Sequence, residues 1–340
     1  MTFADRLVRW QAAHGRHDLP WQRDRDPYRV WLSEIMLQQT QVQTVIAYFE
    51  RFVQRYPDVV SLSRASLDDV MALWSGLGYY SRARHLHACA QVIVREHAGV
   101  FPGRSELLGQ LPGIGPSTAA AIASICFSER AAILDGNVKR VLSRYLGFGE
   151  DLSQTRSLQR LRLEAVRLLP RSARSMPAYT QAVMDLGATL CVQRSPHCTS
   201  CPLSVSCEAN RLGRPEQFPL KSRKLKRSAQ ALWLLWAQSE DGAIWLQKRR
   251  DSGIWASMYC LPCFESETSV SQILGRLAAK NTIWLPPFTH VLTHKNLYLS
   301  TVKVTVHKRE DVMEDGRWVS AEELRNLGLP APIRALLQDD

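Results

Sequence analysis

The sequence predicts a chain of two domains, a mainly α-helical one over residues 1–210 and a smaller α+β one over residues 228–340. Three observations carry that division. Up to about residue 210, apolar residues recur at the spacings of an amphipathic helix, as in Val30, Leu37, Val45 and Ile46 or Val138, Val141 and Leu142. Beyond residue 228 come the strand-like runs ALWLLWA, AIWLQKR and NLYLSTVKVTVHK, with a helix at about 268–280 and a short one from Ala321. Between the two lies RLGRPEQFPLKSRKLKR, residues 211–227, whose seven basic residues, one acidic residue and two prolines read as a basic interdomain linker.

A length of 340 residues is enough for each domain to bury its own core. The net charge of +11 is uneven: residues 1–227 hold 31 Lys and Arg against 19 Asp and Glu, and the remainder 12 against 13. The helical part is therefore the half suited to a polyanion. The longest apolar stretch, around Thr118 to Phe127, is about half of a bilayer span, and MTFADRLVRW lacks the layout of a secretory signal. No membrane partner and a cytoplasmic location are expected.

In chain order, the first chemistry-bearing element is VWLSEIMLQQTQV, residues 30–42, an apolar helix with one acid, Glu34. Helical spacing sets Glu34 beside Val30, Trp31, Leu37 and Gln38, either on a desolvated face, where burial would raise its pKa, or reaching for solvent at the rim. GLGYYSRAR, residues 76–84, offers Tyr79 and Tyr80, which the local pattern suits to a core. LPGIGPSTAAAIASI, residues 111–125, places Gly113, Gly115 and Pro116 at the mouth of an Ala-rich helix, where a tight turn and exposed N–H groups suit a phosphate oxygen. LDGNVKRVLSR, residues 134–144, puts Asp135 just ahead of a helix, the position of an ordinary N-cap.

CVQRSPHCTSCPLSVSC, residues 191–207, spaces Cys191, Cys198, Cys201 and Cys207 as C-x6-C-x2-C-x5-C. In a reducing compartment such a cluster more often binds metal than forms disulfides. Four thiolates suit tetrahedral zinc or a cubane iron–sulfur cluster, and the single C-x2-C pair is unlike the paired knuckles of a zinc ribbon. Cys260 and Cys263 form another C-x2-C with no second pair nearby, and are expected to be buried thiols in strand surroundings.

Taken together, these motifs resemble the endonuclease III and MutY branch of the helix-hairpin-helix DNA glycosylases, and nearly the whole chain shares the likeness. The resemblance implies a helix-hairpin-helix at 111–125, one 4Fe–4S cluster on Cys191, Cys198, Cys201 and Cys207, and a catalytic aspartate at Asp135, with Asn137 to orient it. Lyase-competent relatives carry a lysine where this chain has Ser117, and a hydroxyl cannot form a Schiff base with the sugar aldehyde, so base removal without strand cleavage is implied. Residues 30–42 are similar to the MutY adenine glycosylase motif, in which the acid matching Glu34 protonates the departing adenine, and Leu19, Trp21 and Gln181 fall at adenine-pocket positions. Tyr79 matches the family's intercalating tyrosine, Gln39 and Thr40 match residues facing the opposite strand, and Gly113, Gly115, Ser117 and Lys139 belong to the implied DNA-binding set.

Residues 228–340 resemble the Nudix-type domain of that family, notably in GIWASMYCLPCFE and GRWVSAEEL. Residues 265–285 hold only Glu265 and Glu267 as acids, too few for the magnesium helix of a working Nudix hydrolase. In the family this domain reads 8-oxoguanine through a Phe-Ser-His loop, and the matching residues here are Leu292, Thr293 and His294, without the aromatic. The resemblance thus implies a monomer acting on double-stranded DNA that carries A opposite 8-oxoguanine or G. Its rivals are an endonuclease III-like pyrimidine glycosylase/lyase, disfavoured by Ser117, and a non-catalytic iron–sulfur redox sensor, which would not need Glu34 or Asp135.

Overall fold

The computed structural model describes residues 1–222, 226–277, 279–307 and 311–338. The centre of the expected linker, residues 223–225, lies outside them. The chain forms two compact units, one of Met1–Arg64 with Ala88–Lys224 and one of Ala65–His87 with Leu225–Asp340.

The first unit is helical. Its central element is the helix Pro116–Phe127, whose residues from Thr118 to Ser124 are all buried. Alanines at 119, 120, 121 and 123 have little side-chain entropy to lose and let neighbouring backbones approach closely. The helices Pro27–Leu37 and Met176–Thr189 both pack on this hub. Ahead of it, the short helix Ser105–Leu108 and a turn closed by Ile114 N–H on the Leu111 carbonyl complete a helix–turn–helix hairpin. Gly113 takes φ of 74° there, a left-handed conformation that glycine adopts without steric cost. Tyr179, Val183 and Leu186 share a core with Val138, Val141 and Leu142 of the helix Gly136–Leu146, which seats that helix beside Met176–Thr189.

The second unit is a seven-stranded mixed sheet with helices: β1 Ser228–Ser239, β2 Ile244–Lys248, β3 Tyr259–Cys260, β4 Cys263–Phe264, β5 Ala279–Val291, β6 Lys295–Val306 and β7 Gly316–Val319. The main path runs β3-β2-β1-β6-β5, with β4 on β1 and β7 on β2. β1 and β6 run parallel from Ser228↔Lys295 to Ser239↔Val306. A parallel pair needs a crossover connection, and the helix Glu267–Arg276 lies within it. That helix buries Val270 against Leu235, Trp245, Val302 and Val304 of the sheet. Residues 65–87 join this unit through long-range contacts: Ser75 Oγ donates to the Leu329 carbonyl at 2.9 Å, Lys248 pairs with Asp68 at 2.5 Å, and Arg84 donates to the Ala256 carbonyl at 2.8 Å. Among the described residues, no helix is long and apolar enough to cross a membrane.

Candidate active site

The helix Pro27–Leu37 starts where a helix should, with Pro27 at its first turn and the Asp26 carboxylate accepting from Arg29 N–H at 3.0 Å. It buries Tyr28, Trp31, Leu32, Ile35 and Met36, which fixes the rotation of the whole element. Glu34 is thereby turned into a cavity of about 290 Å³, whose lining also includes Leu19, Trp21 and Gln181. Leu19 and Trp21 are buried, and Trp21 meets Phe49 edge-on with ring centroids 5.4 Å apart. Burial first, and the charge of Asp135 second, push the Glu34 carboxyl up to about 7. A carboxylic acid in this setting still holds its proton near neutrality.

Asp135 is both a helix cap and a partner of Glu34. Its Oδ1 accepts from Val138 N–H at 2.7 Å, so the N-cap geometry is real. The preceding residue is tied to the hairpin, since Leu134 N–H donates to Ser117 Oγ at 3.0 Å. Ser117 thus anchors the segment that presents Asp135. Burial raises the Asp135 carboxyl, opposed by the Val138 and Asn137 N–H groups and by Arg140 and Lys139. Neither Asp135 nor Asn137 belongs to the lining of the Glu34 cavity. The Asn137 side chain is engaged elsewhere, its Oδ1 accepting from Arg140 Nη2 at 2.9 Å, and what it offers Asp135 is its backbone N–H.

Two residues that the sequence did not point to organise this site. Asp185, with 0% exposure, takes the Arg16 guanidinium at 2.7 Å, the Arg16 N–H at 3.0 Å and the Gln181 amide at 2.9 Å. Because Gln181 Nε2 donates to a carboxylate, the amide orientation is set, and Oε1 is the Gln181 atom left to accept from a cavity occupant. Arg140 binds the carbonyls of Gly187 and Cys191 at 2.6 and 2.7 Å, holding the Asp135 helix against the Gln181 helix. Gly187 permits that approach, since a Cβ there would sit 2.8 Å from Asn137 Cβ. The i, i+4 spacing of Gln181 and Asp185 was a usable signal; the reach from Asp185 back to Arg16 had none.

The remaining expected residues separate into two places. Gly113, Gly115, Ser117 and Lys139 gather at the hairpin and the start of the Asp135 helix, while Gln39 and Thr40 follow the Glu34 helix, with Gln39 exposed at φ of 59°. Tyr79, Thr293 and His294 lie in the second unit, where they line a cavity of about 750 Å³ together with Trp255 and His290. Tyr79 is 41% exposed rather than a core aromatic, and its hydroxyl meets Thr293 Oγ1 at 2.9 Å.

The cysteine cluster corrects an expectation. Cys191, Cys198, Cys201 and Cys207 line one cavity of about 20 Å³, and all four are free thiols. Among the described residues, no group of three or more His, Cys, Asp or Glu side chains is arranged to hold a metal ion, so the implied 4Fe–4S cluster is not supported, and nor is zinc. Burial raises the Cys201 thiol to about 11 and lifts Cys198 and Cys207 as well. What binds the loop together is Arg144, 2% exposed, whose guanidinium donates to the carbonyls of Val192, Gln193 and Pro215 at 2.6, 2.9 and 2.9 Å and to Cys191 Sγ at 3.4 Å.

Comparison with known proteins follows the same division. Residues 32–168 match the HhH-GPD superfamily of base excision DNA repair proteins, and residues 232–339 match the NUDIX domain. The adenine DNA glycosylase of Buchnera aphidicola subsp. Acyrthosiphon pisum is 34% identical over 344 residues, covering 99% of this chain and 97% of that one. The human adenine DNA glycosylase is 43% identical over 226 residues, covering 64% of this chain and 41% of that one. Among solved structures, a thermostable thymine-DNA glycosylase superposes with a TM-score of 0.56 at 26% identity, covering 62% of this chain and 95% of its own. A non-covalent endonuclease III–DNA complex shares the fold at 21% identity and a TM-score of 0.52, covering 62% and 94%. With a helical glycosylase domain, a Nudix-like C-terminal domain and a full-length relative above 30% identity, the chain belongs to the adenine DNA glycosylase family of base-excision repair enzymes.

Proposed function

We propose that this chain removes adenine opposite 8-oxoguanine, and opposite G, from duplex DNA by hydrolysing the N-glycosidic bond, and that it does so without a lyase step. The observation that carries the reading is Glu34: an acid raised to about 7, lining a cavity of about 290 Å³ with an indole, a leucine and an oriented amide, and within electrostatic reach of a second carboxylate. A cavity near 300 Å³ is at the small end for ligand sites and suits one flipped base.

Adenine leaves poorly as an anion, so Glu34 in its acid form donates a proton to the ring nitrogen N7. Trp21 and Leu19 cover the base, and the Gln181 carbonyl oxygen accepts from its exocyclic amine, which Asp185 makes sterically and electrostatically definite. As the bond breaks, positive charge grows on the sugar, and the ionised Asp135 stabilises it in the manner of glycoside hydrolysis. Water completes the reaction. Ser117 has no amine to trap the sugar aldehyde, which supports a monofunctional enzyme. Flipping the base leaves a gap in the duplex that Tyr79 fills, and Thr293 and His294 face the opposite base.

Single-turnover excision on matched duplexes carrying A opposite 8-oxoguanine, G, C or T, with borohydride trapping in parallel, tests the reading. The expected result is release of adenine opposite 8-oxoguanine and G with little covalent trapping. Efficient trapping at ordinary turnover would replace it with a glycosylase/lyase.

A further inference from the structure

We propose that Cys260 and Cys263 are a redox-active dithiol, which exchanges with low-molecular-weight disulfides to form an intramolecular disulfide in the second unit. The two sulfurs are already in contact at 3.6 Å. A disulfide needs about 2.05 Å, so closure requires an approach of roughly 1.5 Å.

The strands hold the pair in this position. Cys260 lies opposite Gln247 in the β2–β3 ladder, and Cys263 lies opposite Leu234 in the β1–β4 ladder. Between them, Leu261 and Pro262 make a corner fastened by Leu235 N–H on the Pro262 carbonyl at 3.0 Å. Proline at this corner restricts the backbone, so the thiols do not need to search for each other. The two cysteines are not equivalent. Cys260 is fully buried, whereas Cys263 is partly exposed and so is the thiol that a reagent reaches. The hydrogen bond from Cys260, helped by Arg249, holds the Cys263 thiol below its ordinary range, while burial drives Cys260 well above it. One accessible nucleophile backed by one buried resolving thiol is the division of labour that exchange requires.

The chemistry balances without a metal. The Cys263 thiolate attacks one sulfur of glutathione disulfide, the S–S bond of the reagent breaks, and one glutathione leaves as its thiolate and takes up a proton. Cys260 then loses its proton and attacks Cys263 Sγ in the mixed disulfide, expelling the second glutathione. The protein has lost two electrons and two protons, and the reagent has become two thiols. Only Leu261 and Pro262 separate the cysteines, so the closed loop is too short to restrain the unfolded chain much, and the bond formed is a labile one rather than a structural staple.

The test uses the full chain equilibrated in mixtures of reduced and oxidised glutathione, acid-quenched, alkylated and digested, with mass spectrometry of the peptide containing residues 260–263. In the unmutated protein the peptide should lose two hydrogens and resist alkylation as the oxidised fraction rises, following a two-electron titration. C260S should instead accumulate glutathione on Cys263, and C263S should give neither product. A peptide that stays doubly alkylated under excess glutathione disulfide would overturn the proposal, as would a stable mixed disulfide at Cys263 with Cys260 present. Because the first measurement needs no variant, misfolding of a mutant does not decide the outcome.

Discussion

The two cavities that carry the expected site residues differ in size and in how their polar side chains are held. The Glu34 cavity is small and lined by residues of five helices and the 16–25 segment, and its Arg16 and Gln181 are fixed by the buried Asp185. The Tyr79–Thr293 cavity is more than twice as large, and Tyr79, Thr293 and His294 around it are exposed. Proton donation at neutral pH needs a desolvated acid, because burial is what penalises the carboxylate. Reading an opposite base needs donors and acceptors that stay within reach of solvent and substrate. The difference teaches that burial is concentrated around the acid whose proton it retains.

The hardest test of that contrast is E34Q. Removing the proton donor should lower single-turnover adenine release by roughly 10²- to 10⁴-fold with duplex binding retained. Excision near the unmutated rate would break the distinction between the cavities outright. D185N comes next: it weakens the hold on Arg16 and Gln181, bonds to a charged group, and should cost about tenfold to a hundredfold in excision through a misplaced amide. A loss in thermal stability with unchanged excision would show that Asp185 only staples the fold.

The pH profile is the third test. Glu34 is protonated below about 7 and ionised above it. Single-turnover excision should therefore fall by about tenfold per pH unit once pH exceeds that value, while E34Q shows no such break. Stability carries the same sign: the folded chain holds a proton that the unfolded one releases between 4.5 and about 7, so unfolding free energy from this group declines as pH rises through that window. Urea midpoints across it, compared with E34Q, measure the decline. The smallest effect is expected in the exposed cavity, where Y79F removes one hydroxyl contact to Thr293. A net hydrogen bond of about 0.5–1.5 kcal/mol converts to a roughly twofold to tenfold change in the preference for 8-oxoguanine over G.

Much of the candidate site was legible in the sequence because its signals are local. A single acid in an apolar helical run, an aspartate just ahead of a helix, and a serine in place of an amine are each visible within a dozen residues. The division into a helical and an α+β domain was legible for the same reason, as the hydrophobic period changes near residue 228. Asp185 was not, because its function rests on Arg16, 169 residues away. The inclusion of residues 65–87 in the second unit was equally hidden, resting on partners such as Ala256 and Leu329. The cysteine spacing misled: four thiols near each other in sequence line one cavity, yet a buried arginine, rather than a metal, organises the loop among the described residues.

The sequence by itself determined which side chains the chain has to work with: two carboxylates, an indole, an amide, a hairpin turn that tolerates φ above zero, and no lysine beside it. Only the tertiary structure decided their states. Packing on the alanine-rich hub buried Glu34 and placed Asp135 near enough to repel its ionised form, and a carboxylate 0% exposed set the orientation of the Gln181 amide. The reason is physical: residue type sets what a group can donate or accept, but its proton affinity and orientation depend on the dielectric and the charges around it, which exist only once distant segments have come together.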